Sequence, residues 1–354
     1  MTSNIWKRDY TSLEQFSQTK PGIIIAPDYI CLPDEHRAEF YALFNKVREA
    51  VVREKHPDIL DKSGVLSNKY KAVEQELQQF LGLSSIKMQY MLSVFLKNPV
   101  EALTSALFDP LFDLLKGKAN ENQFEETSSQ GVEKLFLRFY QMGYEKWMIL
   151  SLLFLLKPDK IFSVKETKAK AEESALLMVR EVNEQSPNPK DTDVLEFYDD
   201  HPARLTVPDC IIHSTVLDKY VSFRSMVAKS MSLTSDKPGS RTWVPYVHLD
   251  TPWTGLSLVY LADALEEIVL IADKNEICAP DLIIACRTSP NWYEREGFTQ
   301  IMAKHDRLNP RLGTHILSCD AIPEDDIKNQ GKDIKVSKSD FNNTALEEVL
   351  VNIG

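Results

Sequence analysis

The residues best placed to do chemistry lie between Ser240 and Asp320. Arg241 to Leu249 alternates apolar and polar side chains and reads as a strand ending at Val247-His248-Leu249. It leads through Thr251-Pro-Trp-Thr-Gly-Leu-Ser257 into Gly255 to Ala272. There Leu258, Leu261, Ala262, Leu265, Ile268, Val269 and Ala272 recur at helical spacing. A helix that starts just after a strand leaves its first amides unpaired, with the positive end of its dipole outward. Thr254, Gly255, Leu256, Ser257 and Leu258 would then form an anion site suited to a pyrophosphate. A buried strand, Asp281 to Cys286, follows. After it come Asn291-Trp-Tyr-Glu-Arg-Glu-Gly-Phe298 and two further expected strands, Thr299 to Ala303 and Thr314 to Cys319.

Tyr293-Glu-Arg-Glu-Gly-Phe298 resembles the YEKxGF signature of the GNAT acyltransferase superfamily. The resemblance runs from Arg241 to Asp320, reaches loosely back to Thr206, and leaves residues 1–190 uncovered. It implies the order strand, pyrophosphate loop, helix, strand, signature and closing strand pair. It also implies an activity: transfer of an acyl group from acyl-CoA, with acetyl-CoA as cofactor, to an amine on a small molecule or a protein. In that family a tyrosine protonates the departing CoA thiolate, and the matching position is Tyr293. A general base near the end of the preceding strand falls on His248 or Asp250. The family's loop, Arg/Gln-x-x-Gly-x-Gly/Ala, stands here as Pro252-Trp-Thr-Gly-Leu-Ser257. Gly255 is kept, but Pro252 replaces the lead residue and has no N–H. Pro252 favours a second reading, a non-catalytic GNAT-like domain in a structural or interaction protein whose helical half mediates assembly. Tyr293 and the Gly255 loop favour the enzyme.

Other sets carry less. His305 and His315 lie near Cys286 and Cys319, but no short ligand spacing links them, so no metal site is expected. Pro280-Asp281 before an apolar strand has the opening of a PD-(D/E)xK nuclease. The required carboxylate is missing from Ile284-Ala-Cys-Arg287, and Asp333-Ile-Lys335 sits in the polar tail. Met88, Met91 and Phe95 read as core or as helix-partner surface. Ala26-Pro-Asp, Val207-Pro-Asp and Ala279-Pro-Asp recur, and a Pro–Asp pair is a simple way to start a strand.

The elements that must position these residues follow from the whole chain. Its 354 residues suit about two domains. The net charge of −11 argues against a broad nucleic-acid binder. The scattered glycines, 12 in all, exclude GxGxxG and GxxxxGK phosphate loops. The five cysteines show no CxxC spacing, and an odd number reads as reduced thiols in a cytoplasm. The N-terminus has no apolar signal region. Trp147 to Leu156 is too short for a membrane span and reads as a buried helix.

The expected fold is α+β: an all-helical domain over 1–190, a GNAT-like mixed α/β domain over 200–322, and a polar tail over 323–354 with a docking helix opened by Thr344-x-x-Glu347. Residues 185–200 are expected to be an exposed linker. Within the helical part, Asp34 is a candidate N-cap. Helices are expected over Lys69 to Leu81, from Ser84 or Ser85 to Asn98, over Val100 to Leu115 with a break at Pro110, and over Val132 to Leu156. Gly117 to Gln130 reads as a loop, and Ser163-x-x-Glu166 as a capping box that opens another helix. Homo-oligomerisation is compatible with this organisation.

Overall fold

The computed structural model describes residues 4–167, 176–181, 194–196, 210–226, 256–261, 282–288, 297–308, 310–318 and 333–353. The chain mixes helices and strands and divides into two compact units. One comprises residues 1–68 and 90–140, the other 69–89 and 141–354.

The first unit is built from helices α1 (Ile5–Thr19), α2 (Asp34–Lys55), the first part of α3 (Pro57–Leu81), α4 (Tyr90–Lys97), α5 (Pro99–Thr104), α6 (Phe108–Leu115) and the first part of α7 (Glu121–Leu155). A short antiparallel pair, β1 (Ile24–Ile25) and β2 (Ile30–Cys31), joins α1 to α2. Phe40, Phe44, Leu92, Phe95, Leu103 and Phe124 are buried in its core. Phe44 and Phe112 have ring centroids 4.5 Å apart. Asp9 is buried too, and a carboxylate there needs a cation: Lys46 Nζ stands 3.2 Å from it.

Local chemistry explains where these helices start. Asp34 is the first residue of α2 rather than its N-cap, which is Pro33, and its carboxylate pairs with Arg37 at 2.8 Å. Helix α7 begins at Glu121, well before the expected Val132, because Asn120 and Gln123 cap it reciprocally. The Gln123 amide donates to Asn120 Oδ1 at 3.0 Å, and the Asn120 amide to Gln123 Oε1 at 2.9 Å. The stretch 121–130 is therefore helix, although apolar spacing alone reads as loop. Pro110 does not break its helix, since it lies in the first turn of α6, where no intrahelical donor is lost. Helix α4 starts only at Tyr90, because residues 85–87 form strand β3 (Ser85–Lys87).

The second unit is organised on a sheet. Among the described residues eight strands pair in the order β12-β11-β10-β9-β8-β7-β4-β5. These are β4 (Pro158–Thr167), β5 (Leu176–Glu181), β7 (Cys210–Ser214), β8 (Lys219–Met226), β9 (Leu256–Leu261), β10 (Leu282–Arg287), β11 (Thr314–Ser318) and β12 (Ile334–Lys338). The half from β5 to β8 is antiparallel, whereas β8 to β12 run parallel in chain order. Every residue of β10 and β11 is buried, as expected of parallel strands covered on both faces. Helix α8 (Gly297–Leu308) connects β10 to β11, and α9 (Thr344–Ile353) follows β12. Strand β3 pairs in parallel with β6 (Val194–Glu196) as a separate two-stranded sheet.

Several expectations are corrected here. Residues 163–166 are strand, because β4 pairs on both sides with β5 and β7, and that pairing outweighs a local capping signal. The helical region therefore ends at Leu155 rather than near 190. Within the expected linker Leu195 is fully buried, held by the pairing of β6 with β3. The expected polar tail contributes β12 to the sheet, and α9 buries Ala345, Leu346 and Val349. The three Pro–Asp echoes each stand immediately before a strand, β2, β7 or β10, or one residue from it. Gly313 shows what tight packing costs at the start of β11: its φ is 86°, and a Cβ there would lie 2.1 Å from the Asp333 carbonyl oxygen.

Candidate functional site at the carboxyl end of the parallel strands

The expected site falls on elements that differ from the expectation. Tyr293, His248, Asp250, Thr254 and Gly255 lie outside the described residues. Leu256, Ser257 and Leu258 open strand β9 rather than a helix, in register with Val221, Ser222 and Phe223 of β8, and Leu258 also with Leu282 of β10. Leu256–Leu258 therefore lie in a β-ladder rather than in the first turn of a helix, so the expected helix-terminal donors are not formed there. Leu258 and Leu261 satisfy a strand as well as a helix, and a window this short cannot separate the two periods. The expected strand at Thr299 to Ala303 is part of α8. Ile301 is buried, and the apolar spacing from Phe298 through Ile301 to Leu308 is helical.

The described residues bring a different group together. Gln141, on α7, reaches the end of β10. Its Nε2 donates to Glu145 Oε1 at 2.6 Å and to the Cys286 carbonyl at 3.3 Å. Its Oε1 accepts from the Thr288 hydroxyl. The same Cys286 carbonyl accepts from Arg287 Nη1 at 2.7 Å. The i,i+4 spacing puts Gln141 and Glu145 on one face of α7, one turn apart. Arg287 is 3% exposed and Glu145 5%, so both ionic groups belong to the interior. Lys146, the next residue on α7, is buried as well.

The neighbouring strand ends are tied to the C-terminal segment. The Ser339 amide donates to the Ser318 carbonyl at 2.8 Å. Tyr144, one turn from Gln141 on α7, donates from its hydroxyl to the Ser339 carbonyl at 3.4 Å. Phe341 packs edge-on against Tyr144 and Trp147, with centroids 5.3 and 5.1 Å away. Its φ of 54° is a left-handed conformation that a bulky side chain adopts only when packing enforces it.

Neither Gln141, Glu145 nor Thr288 stood out in the sequence, and Arg287 was noted only for the carboxylate missing there. The available signals were a polar pair at i,i+4 beside the apolar run of α7, and an arginine closing the run Leu282 to Cys286. The two histidines weighed for a metal lie apart in function. His305 bonds the side chain of Thr314 at 2.9 Å, while His315 bonds Ser337 at 2.8 Å. Successive residues of a strand point to opposite faces, so the two imidazoles serve opposite sides of β11. Among the described residues no cluster of metal-ligating groups occurs, and no helix is long and apolar enough to cross a membrane. Comparison of the chain with family models, curated proteins and solved structures found no match.

Proposed function

We propose that the sheet unit binds a small anionic ligand at the carboxyl ends of its parallel strands, where Arg287 meets the anion. The supporting observation is a buried guanidinium at the end of β10, the middle one of five parallel strands, beside the bonded side chains of Gln141, Glu145 and Thr288. Burying a cation is costly, and a guanidinium matches carboxylate and phosphate oxygens two at a time. In open α/β sheets ligands bind outside the carboxyl ends of the strands. Gln141 and Thr288 orient that end, and Glu145 supplies a carboxylate that can take an ammonium group or a proton from a bound molecule.

The test is thermal unfolding of the full chain with millimolar acetyl-CoA, inorganic pyrophosphate or succinate. A ligand at a hundred times its dissociation constant adds about 2.7 kcal/mol to stability. At least one probe should raise the unfolding midpoint of the parent, and Arg287→Gln should remove that shift. Absence of any shift in the parent would return the sheet unit to the role of an interaction scaffold.

A second reading, acyl-CoA-dependent N-acyl transfer to an amine, is favoured by one placement. In the sequence Tyr293 stands between Arg287, which closes β10, and Gly297, which opens α8. Measured CoA release from acetyl-CoA with a panel of amines and peptides should fall on the order of 10²-fold in Tyr293→Phe, the scale of a lost general acid. Equal turnover in parent and variant would remove Tyr293 from the mechanism.

A further inference from the structure

On the face of β11 and β12 that meets α9, three polar side chains form a single chain of hydrogen bonds. Ser337 Oγ lies 2.8 Å from His315 Nε2 and 2.5 Å from Glu348 Oε2. A carboxylate brings no proton, so the short contact to Glu348 uses the serine proton. The serine oxygen must then accept from the imidazole, which places the single N–H of neutral His315 on Nε2. Nδ1 keeps a bare lone pair. It is buried and has no hydrogen-bond partner among the described residues, and the residue as a whole is 1% exposed. Among the described residues, its surroundings are as follows. Helix α9 presents Glu348 and β12 presents Lys335; β10 offers Ile284 in register with His315, flanked by Ile283 and Ala285, which do not titrate. On α8, His305 is engaged by Thr314 on the opposite face.

A second proton can enter His315 only at Nδ1. It would be a charged donor, buried, with no acceptor among the described residues, in a site whose neutral form already satisfies Nε2, Ser337 and Glu348. We propose that the His315–Ser337–Glu348 chain is an acid-sensitive fastening that holds α9 against β11 and β12 and releases it when the imidazole takes that proton. The electrostatics agree. Burial pushes the imidazole from its ordinary 6.5 down to about 4, with Glu348 pulling it up and Lys335 adding to the fall. Undocking restores the ordinary value, so between those limits the undocked form binds the extra proton and acid favours it. This device does not depend on what the carboxyl ends of the strands bind.

Hydrogen exchange on the full chain tests it, followed by mass spectrometry at pH 7.5 and 5.0 with intrinsic rates corrected. Protection of amides 345–350 should fall about thirtyfold in the parent, the ratio set by titration from 6.5 to about 4. In His315→Gln, whose amide does not titrate, the same amides should change less than threefold. Comparable losses in parent and variant would overturn the proposal. Should the variant fail to fold, the parent decides alone. Peptides of β10 must keep their protection while those of α9 lose it, and equal loss in both, or none in α9, would overturn the fastening.

Discussion

Two of the places where the sheet unit buries polar groups handle charge in opposite ways. At the carboxyl end of β10 the interior accepts ionic groups, Arg287 and Glu145, and surrounds them with donors and acceptors from Gln141, Thr288 and the Cys286 carbonyl. On the β11–β12 face the interior disfavours charge: burial lowers the pKa of His315, and one of its nitrogens has no partner among the described residues. The difference teaches that burial alone does not mark function. An ionic cluster at strand ends is built to hold charge, whereas a neutral chain of hydrogen bonds is built to respond when charge arrives.

Four perturbations break or sharpen this contrast, from the largest effect to the smallest. Gly313→Ala should be the most damaging, at about 4 kcal/mol, because it forces a Cβ to 2.1 Å from the Asp333 oxygen at a φ of 86°. Chemical denaturation should show this loss for the whole sheet unit, since Gly313 starts the strand that carries His315; a loss below 1 kcal/mol would mean that β12 yields there. Gln141→Ala should cost about 3 kcal/mol, near 1 for each of its three side-chain hydrogen bonds. Gln141→Glu keeps the size but sets a carboxylate beside Glu145, so it should be no better tolerated; a neutral result for both would show that the carboxyl end is not held by this side chain.

Acidification comes next. His315 has its native pKa lowered to about 4 from 6.5, so the unfolded chain takes up the proton first. Its contribution to stability is complete above pH 6.5 and declines as pH falls through 6.5 toward 4. At pH 5 the decline is about 2 kcal/mol. His56, also lowered by burial, has the same sign, so the difference between parent and His315→Gln isolates the effect. Equal slopes in the two proteins would contradict it. Last, Asp340→Asn removes an exposed ion pair with Lys338 at 3.1 Å, and denaturation should register less than about 1 kcal/mol.

Legibility in the sequence followed the same physical divide. The strands Cys210–Ser214, Leu282–Arg287 and Thr314–Ser318 were readable, because each is an apolar run bounded by turn chemistry. The helix that covers Trp147 to Leu155 and the C-terminal helix opened by Thr344 were readable from apolar spacing. What failed was decided by partners distant in the chain. Leu256 to Leu261 became a strand because β8 and β10 flank it, and Pro158 to Thr167 because β5 and β7 do. The site was hidden for the same reason. Gln141 and Cys286 are separated by 145 positions, and only the fold makes them neighbours. Ser337 and Glu348 carried no signal beyond ordinary polar residues until His315 was placed beside them.

The central claim is that the carboxyl end of β10, and not the His315 face, meets an anionic ligand. Isothermal titration of the full chain with acetyl-CoA, inorganic pyrophosphate and succinate, repeated on Arg287→Gln and Ser337→Ala, tests it most directly. The account predicts saturable heat with at least one probe, at least a tenfold loss of affinity in Arg287→Gln, and a change within twofold in Ser337→Ala. No heat from any probe with the parent, or equal weakening in both variants, would contradict it.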